Sequence, residues 1–209
     1  MVIGVDAGAI CETDDRLKVG VYRVTLELLK HLSQIDSVNT YRLYSFAPIP
    51  SDIMKNFGIN MINITLAPSV GYMKVRLPLK LMLEPVDIFL GVAQAMPFRV
   101  SKGIGFIYDL GFLHHPEVYK AQANILTNQT AALICRSTHI VTISAASKQD
   151  IVRTYGIKPE RITVAYPGIS DIFKKNKEKI QYPVPYFLMV GVNLSKNIPI
   201  AMHAFEELI

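Results

Sequence analysis

Short runs of apolar residues alternate along the chain with longer stretches in which apolar positions recur every three to four residues. The first pattern fits strands buried on both faces and the second fits amphipathic helices. Their alternation predicts βαβ units around a parallel sheet with helices on both faces. Strands are expected at residues 2–6, 41–46, 59–66, 86–90, 103–108, 139–143 and 161–165. A helix is predicted over 20–32, with Val21, Val24, Leu28 and Leu32 on its buried face. The longest helical pattern covers 118–136 and starts after Pro116, while 72–83 is helical with an interruption near Pro78. Ser144 can cap a helix that runs to about Tyr155 and stops at Gly156.

The pattern changes near residue 174. Residues 174–179 read Lys-Lys-Asn-Lys-Glu-Lys, and Pro183 and Pro185 follow, which marks a linker. After it, 186–190 reads as a new strand and 197–208 as a new helix. One strand and one helix bury no core of their own. They either dock on the preceding domain or open a second one; the expected organisation is a domain at 1–173, a linker at 174–185 and the truncated start of a further domain at 186–209.

Half of the residues are hydrophobic and 19% are charged, enough apolar material for a packed core. The mean hydropathy of +0.27 is high enough to raise the question of a membrane span. No apolar run approaches the ~18–20 residues that a span requires. Residues 1–6 lack the basic start of a secretory signal, so the expectation is a cytoplasmic protein. Cys11 and Cys135 have no disulfide-framework or zinc spacing. The 22 basic and 17 acidic residues leave a net charge of +5, compatible with anionic small molecules or an anionic membrane surface. With no dominant basic stripe and no Trp, nucleic acid is not an expected partner. Residues 72–83 mix Lys74, Arg76 and Lys80 with Tyr72, Met73, Val75, Leu77, Leu79 and Leu81. Two readings fit: peripheral contact with an anionic bilayer, or an ordinary amphipathic helix covering the sheet.

Candidate chemistry lies in the loops that follow strands. The loop at 14–20 leads into the first helix, and Gly20 at its start would let backbone approach an anionic ligand. Neither G-x-G-x-x-G nor a P-loop occurs. His114 and His115 have no metal partner at ligand spacing, and Ser144 lacks the G-x-S-x-G frame of a nucleophile.

Several segments in order carry a more specific signal. Ile107-Tyr-Asp-Leu-Gly-Phe-Leu-His-His-Pro116 is similar to the "HDL…P" block of glycosyltransferase family 4. Val141-Thr-Ile-Ser-Ala-Ala-Ser-Lys-Gln-Asp-Ile151 resembles its "VSxxSKxDI", and 155–168 resembles its "YGI-PEKI-V-NG". Gly20-Val-Tyr-Arg and Pro85-Val-Asp-Ile-Phe89 resemble two earlier blocks, and 186–208 the first βα unit of the family's C-terminal domain. The resemblance implies a GT-B architecture of two facing Rossmann-like domains and a retaining, metal-free transfer of a hexose, for example mannose or glucose. The donor is a nucleotide sugar and the acceptor a saccharide or lipid-linked saccharide.

It places Lys196 and Gly20 at the donor phosphates, and Tyr108, Asp109 and Ser144 in the sugar and acceptor cleft, with Asp109 the one weak catalytic candidate. No cofactor is expected. Charge on the departing diphosphate would be met by cations and helix N-termini. Three positions depart from the pattern: Tyr108 stands for a His, Leu90 for a polar residue, and Ser195 for an Arg whose bidentate charge Lys196 alone does not replace. The family's E-x7-E motif is not found in the chain. The piece is therefore expected to be inactive alone, and a non-catalytic acceptor-binding or scaffold module paired with a separate donor-binding chain is the alternative.

Overall fold

A computed structural model describes residues 1–14, 18, 20–169, 183–190 and 197–208. Seven parallel strands form one sheet: β1 (Val2–Asp6), β2 (Thr40–Ser45), β3 (Met61–Thr65), β4 (Ile88–Gly91), β5 (Gly103–Ile107), β6 (His139–Thr142) and β7 (Ile162–Val164). Their order is β3-β2-β1-β4-β5-β6-β7, so the chain winds outward one way from β1 and then the other way from β4. This is a doubly wound, Rossmann-like α/β fold, as the alternating pattern predicts. The carboxyl ends of β1 and β4 flank the crevice where the winding reverses.

Helices cover both faces. On one, α1 (Gly20–Ile35) and α2 (Ser51–Met54) pack Tyr22, Leu26, Leu29 and Ile53 against Ile3, Val5, Tyr41 and Leu43. On the other, α3 (Leu77–Leu83) contributes Leu77 and Leu81 to a second cluster with Tyr44, Phe89, Ile107 and Ile140. After β5 come two single turns, α4 (Gly111–His114) and α5 (Pro116–Tyr119), then α6 (Ala121–Arg136), which adds Leu133 to the same cluster. Gly105 in β5 faces the Leu133 and Ser137 side chains, which occupy the space a Cβ would need. On the same face α7 (Ala145–Tyr155) ends on Gly156 at φ +64°, the left-handed conformation that glycine adopts without strain.

Four expectations change. The buried face of α1 is Tyr22, Thr25, Leu26 and Leu29; Val21, Val24, Leu28 and Leu32 lie at its margins, half-buried. Lys120, at φ +53°, breaks the helix expected at 118–136 into α5 and α6. Pro78 does not interrupt 72–83. A π-helical turn, Tyr72–Arg76, runs directly into α3, and the proline sits in the first turn, where a missing N–H costs little.

Finally, 186–190 forms no strand. Its five residues are exposed, and no edge pairs with them among the described residues. The helix expected beyond it is present as α8 (Ile198–Glu206), with no buried residue. Phe187 and Phe205 meet edge to face, centroids 5.4 Å apart. Of the predicted linker at 174–185, residues 174–182 lie outside the described residues and 183–185 are exposed.

Candidate functional site

Two polar groupings stand at the carboxyl ends of the strands. The first centres on Asp6, the last residue of β1, which is only 3% exposed. Its Oδ1 accepts the Gly8 N–H at 3.2 Å and the Tyr72 hydroxyl at 3.1 Å. That hydroxyl also lies 2.9 Å from the Tyr44 carbonyl, so its one proton is shared between two acceptors. Burial pushes the Asp6 carboxyl up to about 6, against the lowering pull of Gly8 and Tyr72. Burial and the Asp6 charge together hold the Tyr72 phenol far above its ordinary range. An acid with a raised pKa at a switch point is the kind of group functional crevices use. No periodicity marks Asp6; the available signal was an acidic residue closing a fully apolar strand.

Tyr108 follows β5 and is half-buried. Its hydroxyl donates to the Val92 carbonyl at 2.8 Å, so its donor is already engaged within the protein. Its N–H donates to Gln94 Oε1 at 3.4 Å, and the Gln94 amide donates to Thr130 Oγ1 at 2.9 Å. Gln94 is buried at φ +54°, an uncommon conformation held by these two bonds. Burial first, then the Asp6 charge, raises the Tyr108 phenol.

The second grouping is an open groove of about 440 Å³ between α4 and α7. Asp109, His114, Ser147, Gln149, Asp150 and Arg153 supply its polar lining. Asp109 is exposed and its Oδ1 accepts the Gly111 N–H at 2.9 Å, which fastens the turn that begins α4. His114 Nε2 lies 2.7 Å from Asp150 Oδ2, and Arg153 reaches Gln149 Oε1 at 3.3 Å. Ser144 caps α7: its Oγ accepts the Ser147 N–H at 3.0 Å and donates to Ser147 Oγ at 2.9 Å. The groove thus offers two carboxylates, an imidazole, an amide, a hydroxyl and a guanidinium, a set suited to a ligand rich in hydroxyls. Asp150 entered the sequence reading only as part of the 141–151 block and Arg153 not at all, since neither carries a motif of its own.

Asp109 and the start of α7 come together at this groove, while Tyr108 turns toward Val92 and Gln94. Gly20 opens α1, and a Cβ there would meet nothing within 4 Å, so packing among the described residues does not require a glycine. Lys196 and Ser195 lie outside the described residues. Leu90 is half-buried in β4, packed on the α1 side of the sheet. His115 lies 3.3 Å from Glu117 and does not line the groove. Among the described residues no group of His, Cys, Asp or Glu could hold a metal ion, and no helix is long and apolar enough to cross a membrane.

The fold and its two polar groupings define a doubly wound α/β domain with candidate ligand sites at the carboxyl edge of its sheet. Compared with known proteins, the chain matches no family model and no curated protein.

Proposed function

We propose that this chain is the acceptor-side domain of a retaining, GT-B-type glycosyltransferase that draws on a nucleotide-sugar donor. One observation carries the reading. Two segments that resemble family 4 glycosyltransferases, 107–116 and 141–151, are far apart in sequence yet line one groove with groups that bind sugar hydroxyls. In this reading Asp109, Asp150 and His114 hold a saccharide acceptor, and Gly20 and Lys196 approach the donor phosphates. Residues 186–208 resemble the first βα unit of a donor-binding domain, of which 1–173 would be the counterpart.

A titration of the purified chain with a panel of neutral oligosaccharides, followed by saturation-transfer NMR, tests this. The expected result is a weak complex that Asp150→Ala and Asp109→Ala each reduce on the order of tenfold, as loss of a charged hydrogen bond predicts. No complex with any saccharide, or one indifferent to both substitutions, would sink the reading.

Two observations favour a second form of the proposal, a non-catalytic module that pairs with a separate donor-binding chain. The Tyr108 hydroxyl is spent on Val92, and α8 buries none of its residues. Recovery of transferase activity only when a complementary chain is added would select this form over the first.

A further inference from the structure

The sheet ends in two edge strands that the chain treats differently. β7 has only three residues, and the bond from the Ala165 N–H to the Thr142 carbonyl sets the alternation of its ladder. That alternation turns the backbone groups of Ile162 and Val164 away from β6. Lys148 Nζ, from α7, donates to the outward Ile162 carbonyl at 2.6 Å. A lysine on an open carbonyl guards an edge against a further strand.

β3 has no such guard. The Tyr41 N–H bonds the Asn60 carbonyl and the Leu66 N–H the Ser45 carbonyl, which turns the backbone groups of Met61, Asn63 and Thr65 away from β2. The Met61 N–H is taken by the Gly58 carbonyl, whereas those of Asn63 and Thr65 meet no acceptor among the described residues. Residues 56–73 hold no Lys, Arg, Asp or Glu, the longest such run in the chain. Ile62 is 50% exposed, and Ile59, just before the strand, is fully exposed. Proteins pair or cover an uncharged, apolar edge of this kind.

We propose that β3 pairs antiparallel with β3 of a second copy of this chain, joining the two seven-stranded sheets into one. A two-fold axis at Asn63 lets the Asn63 N–H of each copy donate to the Asn63 carbonyl of the other, and each Thr65 N–H to the other's Met61 carbonyl. The same axis sets Ile62 across from Ile64 of the second copy, twice, as β-branched apolar pairs. A neutral strand meets its own copy without like-charge repulsion, and it carries no charge by which to select a charged partner. The inference rests on the sheet edge and is independent of sugar transfer.

Analytical ultracentrifugation of the 209-residue chain is expected to show a monomer–dimer equilibrium, and amide exchange at Asn63 and Thr65 should slow as protein concentration rises. Ile62→Lys should raise the dissociation constant on the order of tenfold or more, because the two lysines lie diagonally across the new ladder. Ile62→Glu should do the same alone, and an equimolar mixture of the two variants should pair again. Ile125→Lys makes the same kind of change at an exposed site on α6 and should alter nothing. Circular dichroism identifies a variant that fails to fold; Thr65→Pro, which removes two of the four proposed bonds, carries the test in that case. A monomer up to millimolar concentration would overturn the proposal. So would a dimer indifferent to Ile62→Lys and Thr65→Pro, or variants that do not pair again on mixing.

Discussion

Asp6 and Asp150 are carboxylates at the same end of the same sheet, and their surroundings make them different chemical tools. Asp6 is sealed at the end of β1, held by one backbone N–H and a phenol, and its ionised form is costly. Asp150 stands on α7 with its side chain 31% exposed and pairs with an imidazole that is itself half in water. Burial therefore gives Asp6 its proton affinity, whereas access gives Asp150 its capacity to meet a ligand. Under the proposed function, recognition would fall to the second, while the first makes stability depend on pH.

The sharpest way to break this contrast is Asp6→Asn. An acid whose folded pKa lies above its unfolded value binds its proton more tightly when folded. Its contribution to stability is then greatest below about pH 4 and falls as the pH rises toward about 6. The isosteric amide removes that cost, so Asp6→Asn should be more stable than the wild type at pH 8 by roughly 2–3 kcal/mol, and similar to it at pH 4. Urea unfolding at both pH values checks this. Equal destabilisation at both would mean that folding does not raise the Asp6 pKa and that its hydrogen bonds matter in either protonation state.

Tyr72→Phe takes away one of the two donors to Asp6 and should cost about 1–3 kcal/mol at pH 8. The loss should be smaller at pH 4, where Asp6 is neutral, and a loss independent of pH would detach Tyr72 from the carboxylate. The smallest effect is expected for Asp150→Asn. Exposed pairs of this kind contribute about 0–1 kcal/mol, so thermal unfolding should barely move, while the proposed saccharide binding should fall. A large loss of stability would recast Asp150 as a structural residue.

Much of the sheet was legible in the sequence because buried parallel strands are written as short apolar runs, and all seven occur close to where those runs lie. The errors share a cause. The run at 186–190 looks like a buried strand, but a strand needs an edge to pair with, and composition does not supply one. On α1 the sheet is covered by Tyr22 and Thr25, an amphipathic ring and a hydroxyl that bonds the Val21 carbonyl, rather than by the valines. At the candidate site Tyr108 and Asp109 were reached through the resemblance of 107–116 to a family block, and β5 ends just before them. Asp6 and Gln94 could not be reached, because a buried carboxylate and a left-handed glutamine gain their meaning from neighbours distant in the chain.

The π-helical turn before α3 also has a consequence for the history of the sequence. Gly71 O receives the N–H groups of both Val75 and Arg76, and Tyr72 O receives that of Leu77, one residue later than an α-helix would place it. Tyr72 and Leu77, five apart, therefore share the inner face, and Arg76 is spared from it. The turn acts as a one-residue insertion that resets the phase of everything after it. Homologues lacking the insertion should align here only with a single-residue gap, and deleting one of residues 73–76 would rotate Leu79 and Met82 by about a quarter turn. Inward and outward faces would then exchange ancestry, and a lineage could change which residues of this helix face outward by an indel, without a single side-chain replacement.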